Sequence, residues 1–146
     1  MSRHTARELA FKFLYQQEIR EDPFEIQLED FLKSQSIRDK ADRTYFENLV
    51  QGVHKHRSLI DQIISRYLRG WTMERQLPID LSILRLAVYE LLFDEEVPAE
   101  IAISEAVIFA NEYGTDQSRA FINAVLGSVE KHEEKQLQPE PQEDDA

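Results

Sequence analysis

Apolar residues recur along most of the chain at spacings of three and four, which is the period of an amphipathic α-helix and not of a β-strand. In the segment from Asp80 to Phe93, for example, Leu84, Val88 and Leu91 fall on one face. Only four glycines and five prolines interrupt the pattern. It therefore predicts an all-α protein of six or seven helices. The predicted helices begin at Thr5, Pro23, about Asp39, Ser58, Asp80, Pro98 and about Gln117.

Two segments carry residues that favour the start of a helix. The Thr5 hydroxyl can cap free backbone N–H groups while Glu8 reaches back, as in a capping box. Asp22 precedes Pro23, which gives an aspartate cap followed by proline at the first helical position. Within the third predicted helix, Gly52 permits a neighbouring element to approach closely.

The segment from Gly70 to Pro78 is the main break in the periodic pattern, because it places turn-forming residues between two strongly periodic stretches. It separates helical halves at about 1–70 and 78–132, each too short to bury much apolar surface alone. We therefore expect two small helical bundles packed into a single domain over residues 1–132. Residues 133–146 are rich in acids and contain two prolines, which predicts a disordered acidic tail.

The formal net charge of −11 argues against an extensive phosphate-binding surface. Any RNA site must therefore be a local basic patch, and the acidic charge favours protein partners. The stretch from Arg3 to Arg7 is locally basic and stands at the opening of a helix, where exposed N–H groups favour phosphate. An ordinary solvated terminus explains the same stretch equally well, so composition leaves both interpretations open.

The sequence contains none of the familiar enzymatic motifs. Cysteine is absent, which excludes disulfides, thiolate metal sites and cysteine nucleophiles. His54 and His56 are the best metal candidates, but side chains two apart on a helix diverge and Lys55 would repel a cation. We predict a protein that is not an enzyme and has no catalytic residue, metal or cofactor. Because no run of about 18 apolar residues occurs, we expect a cytoplasmic protein that does not bind membranes.

Two glutamates and three aromatic residues leave a choice between structural and functional roles. Glu90 and Glu105 each lie within an otherwise apolar helix, where we expect structural ion pairs that cross between helices. Trp71, Tyr15 and Tyr89 have rings that can stack on bases, although aromatic residues at helical spacing usually belong to the core. We favour the core for these rings and keep base stacking as the alternative.

Several blocks of sequence stand in a characteristic order. They are R-x-x-A-R-E-x-A at Arg3 to Ala10, then Ile83 to Leu91, then Val97-Pro98 with Ile101 to Val107, and finally Tyr113-Gly114 followed by Phe121 to Asn123. No single block is decisive. Together, in order and spacing, they resemble the NusB family of transcription antitermination proteins over essentially Arg3 to Val129.

This resemblance implies an all-helical fold of two three-helix bundles. It also implies binding to single-stranded boxA-type leader RNA together with NusE, a small-subunit ribosomal protein, within the transcription elongation complex. Such a factor supports processive transcription of ribosomal RNA operons. The resemblance gives RNA-binding roles to Arg3, His4, Arg7, Gln117, Arg119 and Phe121, and partner-binding roles to Tyr15 and Asp80.

A protein-interaction scaffold with little RNA binding of its own is the alternative function. The net negative charge and the thin basic patch favour it. An RNA-binding measurement with and without NusE separates the two functions. Homodimer formation is left open, because nothing in the spacing of the residues decides it.

Overall fold

In a computed structural model, the described residues 3–136 form seven α-helices and one short 3₁₀ helix, with no strand among them. The predicted all-α fold is therefore confirmed. The 3₁₀ helix, Met73–Arg75, lies in the predicted break between the two halves. The α-helices are α1 (Arg3–Ile19), α2 (Phe24–Ser34), α3 (Lys40–Lys55), α4 (Arg57–Arg66), α5 (Pro78–Phe93), α6 (Ala99–Tyr113) and α7 (Ser118–His132).

One helix begins with the capping residue that its sequence suggests, and two others do not. Asp39 caps α3, because its carboxylate accepts a hydrogen bond from the Asp42 backbone N–H at 2.9 Å. The predicted capping box at Thr5 is wrong, because α1 begins two residues earlier and Thr5 lies inside it. The predicted cap at Asp22 is also wrong, since Pro23 occupies the cap position of α2. Packing of the apolar faces, more than capping, therefore stabilises these two helices.

Helix α5 forms the centre of the molecule and is buried on nearly every side. Residues 80–88 and 90–93 are all buried, whereas the sequence pattern predicted one inward face. The wider burial has a direct cause, because α5 packs against α1, α3, α4, α6 and α7. A helix that is apolar around its whole circumference needs neighbours on every side to exclude water.

The helices form two groups that share one core. Helix α1 packs on α2 and α3 in the first group, and α5, α6 and α7 pack on one another in the second. Helix α4 packs against α3, α5 and α7, and α1 also packs on α5. The buried apolar residues of all seven helices form one continuous cluster. The predicted pair of packed bundles is confirmed, with α4 as an additional helix at their junction.

Helices α3 and α5 come close together at Gly52, as the sequence predicted. A Cβ atom added at Gly52 would lie 2.3 Å from the Cζ atom of Tyr89. The Tyr89 ring in turn stacks against Phe93, with the ring centroids 5.7 Å apart. A side chain at position 52 would therefore force the Tyr89 ring or one of the two helices to shift.

The sequence predicted a disordered tail from residue 133 onward. The first residues of that tail are instead held against the protein. The Arg66 guanidinium donates hydrogen bonds to both carboxylate oxygens of Glu133, at 3.0 and 2.9 Å. The Lys135 ammonium donates a hydrogen bond to the backbone carbonyl of Asp94 at 2.5 Å. The start of the predicted tail is therefore fixed to α4 and to the end of α5. The rest of that prediction, for residues 137–146, lies outside the described residues.

Replacing Gly52 with alanine should lower the free energy of unfolding by about 1–3 kcal/mol, because the new methyl group overlaps the Tyr89 ring. The matched control is Gly127→Ala on α7, where a Cβ atom meets nothing within 4 Å. There the better helix propensity of alanine should raise stability by up to about 1 kcal/mol. Urea denaturation measures both effects. Equal stabilisation by the two substitutions would contradict the close contact between α3 and α5.

Truncation after His132 should lower the free energy of unfolding by about 1–2 kcal/mol relative to truncation after Gln136, because it removes the hydrogen bonds of Glu133 and Lys135. Both shortened chains lack residues 137–146, so the comparison isolates the anchored segment. Denaturant midpoints measure the difference. Identical midpoints would mean that the segment contributes nothing to stability.

Candidate functional site

Arg3 stands at the start of α1, with its guanidinium group 4.6 Å from the centroid of the Tyr45 ring on α3. An open groove beside it is also lined by Lys40, by Asn48 and by the carboxylates of Asp39 and Asp42. Arg3 and Lys40 are both exposed, and neither forms an ion pair with any residue from 3 to 136. Both cations can meet a phosphate group without losing an ion pair, while the two aspartates make the groove as a whole electrically balanced. The RNA contact predicted for Arg3 stays a prediction.

His4 faces α6 and is only partly exposed. Its Nδ1 atom lies 2.8 Å from Oε1 of Glu105, and its ring stacks on Phe109 with the centroids 5.3 Å apart. Glu105 thus forms the interhelical pair expected from the sequence. His4 is held against the protein, and its predicted RNA contact stays a prediction.

Arg7 is an interior residue, and its predicted RNA contact stays a prediction. Its side chain is 5 % exposed, and Nε donates a hydrogen bond to Oε1 of the fully buried Glu90 at 2.8 Å. Burial alone would lower the pKa of Arg7, but the hydrogen bond and charge of Glu90 raise it. Arg7 lies on the apolar side of α1, where only a paired charge is tolerated. The helical pattern of the sequence predicted the apolar side of α1, but it did not place Arg7 on that side.

Tyr45 completes the network around Glu90. Its hydroxyl donates a hydrogen bond to Oε2 of Glu90 at 2.5 Å. Burial, together with the Glu90 charge, raises the pKa of Tyr45, so the phenol stays protonated and remains a donor. Three helices, α1, α3 and α5, therefore meet at one carboxylate. The expected interhelical ion pair of Glu90 is confirmed.

A second buried arginine joins α5 to α4 and α1. Arg85 is 5 % exposed, and its Nε and Nη2 atoms donate hydrogen bonds to the two carboxylate oxygens of Asp61 at 2.8 and 3.2 Å. Its Nη1 atom donates a hydrogen bond to Oε1 of Glu18 at 2.5 Å. All of these groups have partners, so the network is structural and contains no free acid or base.

The predicted RNA residues Gln117 and Phe121 line a different groove, here called the Trp71 groove. It has a volume of about 260 Å³ and lies between the connection after α4 and the start of α7. Its other lining residues include Trp71, Arg75 and Asp80. The predicted RNA residue Arg119 is exposed on α7, near this groove in sequence, and has no ion pair within the described range.

The predicted partner residue Asp80 is 6 % exposed. Burial raises the pKa of its carboxyl group, and a hydrogen bond with Ser118 lowers it in part. Its Oδ1 atom has no hydrogen-bond partner among residues 3–136. Tyr15, the other predicted partner residue, is half-buried on α1. Partner binding by both residues stays a prediction.

The predicted RNA residues therefore fall into two separate regions. Glu90, which holds Arg7, and Asp80 in the Trp71 groove are ten residues apart on α5, a distance of about 15 Å along the helix. Sequence reasoning did not separate the regions, and it did not select Lys40 or Arg75. Trp71 was weighed as core but is 61 % exposed. Its turn contains Gly70 at φ 92°, and this backbone break was the available signal.

The two histidines weighed as metal ligands contact aromatic rings. His54 stacks on Phe24 with centroids 4.0 Å apart, and His56 stacks on Phe93 at 4.3 Å. In the part of the chain that the structure describes, no group of three His, Asp or Glu side chains is placed to hold a metal ion. No described helix is long and apolar enough to cross a bilayer.

Comparison with known proteins shows where this arrangement belongs. The family model described as NusB family matches residues 4–131. The chain belongs to the NusB family. The transcription antitermination protein NusB of Acetivibrio thermocellus is 40 % identical over 131 residues, covering 90 % of each chain. That of Pseudothermotoga lettingae is 44 % identical over 130 residues, covering 88 % of this chain and 91 % of its own.

Solved structures of NusB proteins share the fold. The structure of T. maritima NusB has a TM-score of 0.85 and 37 % identity, covering 92 % of this chain and 94 % of that one. A chain from a complex of the antitermination factors NusB and NusE with double-stranded RNA has a TM-score of 0.81 and 26 % identity. It covers 90 % of this chain and 98 % of its own length. The family resemblance seen in the sequence is thus confirmed.

Replacing Arg7 with alanine should lower the free energy of unfolding by about 3–5 kcal/mol, because Glu90 then remains buried without its partner. The double variant with Arg7→Met and Glu90→Gln should recover much of this loss, since it removes both charges and keeps an acceptor for Tyr45. Urea denaturation of the three proteins tests the pair. A loss below about 1 kcal/mol for the single variant would place Arg7 at the surface after all.

Proposed function

We propose that this chain is a non-enzymatic transcription antitermination factor that binds boxA-type leader RNA together with NusE. The observation that carries the proposal is the similarity to NusB proteins along nearly the whole described chain, including NusB from a complex with NusE and double-stranded RNA. The protein acts in the cytoplasm on the transcription elongation complex and supports processive transcription of ribosomal RNA operons.

The distribution of cations supports RNA contact at two places. Arg3 and Lys40 flank one groove, and Arg75 lies in the Trp71 groove with Arg119 nearby in sequence. None of the four forms an ion pair within residues 3–136, so none must give up a partner to meet a phosphate. Each phosphate contact adds a salt-dependent share to the affinity.

The overall charge limits what the chain does alone. The net charge of −11 repels RNA at distances shorter than the Debye length, which is about 8 Å at physiological ionic strength. Salt screens the repulsion beyond that distance. Few cations oppose this repulsion at the start of α1, because Arg7 is buried in its ion pair with Glu90. RNA binding therefore depends on NusE, which contributes further contacts to the same RNA.

The burial of Arg7 also favours the second candidate function, a protein-interaction scaffold with little RNA affinity. It removes one of the two arginines of the predicted N-terminal patch. Fluorescence anisotropy with a labelled boxA RNA, with and without NusE, separates the candidates. Absence of RNA binding in both cases would reject the antitermination proposal and support the scaffold.

Arg3→Glu should weaken RNA binding by about tenfold, near the lower end expected for a hydrogen bond to a charged group. It should also reduce the slope of log affinity against log salt by about 0.7, the value for one phosphate contact on single-stranded RNA. The matched control is Lys33→Glu, which changes net charge equally at an exposed site on α2. Anisotropy across a salt series measures both variants in the presence of NusE. Equal losses would mean that only net charge matters and that Arg3 makes no contact.

A further inference from the structure

Tyr45 connects the buried charge network to a cation at the surface. Its hydroxyl donates a hydrogen bond to Oε2 of Glu90 at 2.5 Å and accepts one from the Arg7 guanidinium at 3.4 Å. The Arg3 guanidinium lies 4.6 Å from the centroid of the same ring. A chain of contacts therefore runs from the core pair of Arg7 and Glu90 through Tyr45 to the exposed Arg3.

The contact with the ring leaves the hydrogen-bond donors of Arg3 available. An aromatic ring attracts a cation to its face through its quadrupole, whereas a carboxylate takes up the N–H groups of a guanidinium by hydrogen bonding. Arg3 forms no ion pair with any residue from 3 to 136. Its planar N–H groups can therefore meet two oxygens of one phosphate group, which they match in geometry.

Acidic side chains lie close to Arg3 on the surface. Arg3 lines two adjoining grooves, whose walls also carry Asp39, Asp42, Asp94, Glu95 and Glu96. An arginine that moved freely in these surroundings would be attracted to one of the carboxylates. It would then have to break that ion pair before it could bind a phosphate group. The ring contact holds Arg3 apart from these competitors.

The ring is itself fixed in place. Tyr45 is half-buried, and its hydroxyl is bound to the buried Glu90, which Arg7 holds in turn. An arginine side chain has many rotamers, and it loses this freedom when it binds a ligand. An arginine that already rests on a fixed ring loses less, so a phosphate contact costs less entropy.

We propose that Tyr45 is a positioning residue for RNA binding, whose ring holds the Arg3 guanidinium away from the neighbouring carboxylates and presents it to a phosphate group. The proposal rests on the RNA-binding function proposed above. It gives the buried Arg7 an indirect role as well, because Arg7 and Glu90 fix the ring from the core.

Two substitutions separate the effect of the ring from that of the hydroxyl. Tyr45→Phe and Tyr45→Leu both lose the bond to Glu90, but only Tyr45→Phe keeps a ring. In the presence of NusE, Tyr45→Leu should weaken the binding of fluorescein-labelled boxA RNA by about fivefold, the upper end for an exposed cation–π contact. Tyr45→Phe should stay within about twofold of the parent. Both variants should lose stability in urea, since both lose the hydroxyl.

A double-mutant cycle shows whether Tyr45 acts through Arg3. In an Arg3→Ala background, Tyr45→Leu should change the RNA affinity by less than about twofold, because the group that the ring positions is already absent. The matched control is Arg38→Ala, which removes another exposed arginine, in the connection between α2 and α3. In that background Tyr45→Leu should again weaken binding by about fivefold.

Nuclear magnetic resonance of the full chain measures the position of Arg3 without RNA. The ring current of Tyr45 should shift the side-chain protons of Arg3 in the parent and in Tyr45→Phe, and this shift should disappear in Tyr45→Leu. The signals of Arg38 should stay unchanged. If Tyr45→Leu fails to fold, progressive fluorination of the ring in Tyr45→Phe weakens the quadrupole at nearly constant size. RNA affinity should then fall with each added fluorine.

Four results would overturn the inference. Equal losses of RNA affinity in Tyr45→Phe and Tyr45→Leu, or an undiminished loss in the Arg3→Ala background, would leave Tyr45 with a structural role only. An affinity unaffected by fluorination, or no ring-current shift of Arg3 in the parent, would also reject the positioning role. All four leave the RNA-binding function intact. Absence of RNA binding by the parent with and without NusE would instead reject both that function and the positioning role.

Discussion

The buried contact between Arg7 and Glu90 is the interaction on which the arrangement of the helices depends. It joins α1 to the central helix α5, and the Tyr45 hydroxyl brings α3 to the same carboxylate. Such a pair adds little net stability over an apolar pair, but removal of one partner is severe, since an uncompensated charge then stays buried. Arg85 is the centre of a second buried network on α5, where its ion pairs hold α4 and α1. The two arginines fix the neighbours of α5 by specific bonds, whereas its apolar surface alone would permit sliding.

This use of Arg7 has a consequence for RNA binding. A strongly acidic protein needs local cations to approach RNA, and one of its N-terminal arginines lies in the core. The unpaired cations of the two candidate regions are Arg3 and Lys40 beside the first groove, and Arg75 in the Trp71 groove with Arg119 nearby in sequence. An RNA that contacts both must cross the surface between them, which favours an extended single strand. The dependence on a protein partner then has a physical cause, because a net charge of −11 repels RNA and only local cations oppose this repulsion.

The sequence predicted the helices well because their periodicity is a local property. It placed Glu90 and Glu105 in interhelical pairs, since a charge in an apolar stripe needs a partner. It did not identify Arg7 as the partner of Glu90, because the two residues are far apart in sequence and a basic terminus resembles a phosphate site. It also missed the fixation of Glu133, whose contact with Arg66 depends on where α4 and α7 end. The joining of Gln117, Phe121 and Asp80 in one groove likewise exists only after folding.

The central claim is that RNA contacts two separated regions of a core that does not rearrange. Hydrogen–deuterium exchange of the full chain with NusE, with and without boxA RNA, tests this claim most directly. RNA should add protection in the connection 69–77 and at the first turn of α1, and it should leave the exchange of α5 unchanged. Tight RNA binding with no added protection in either region, or with altered exchange throughout α5, would contradict it.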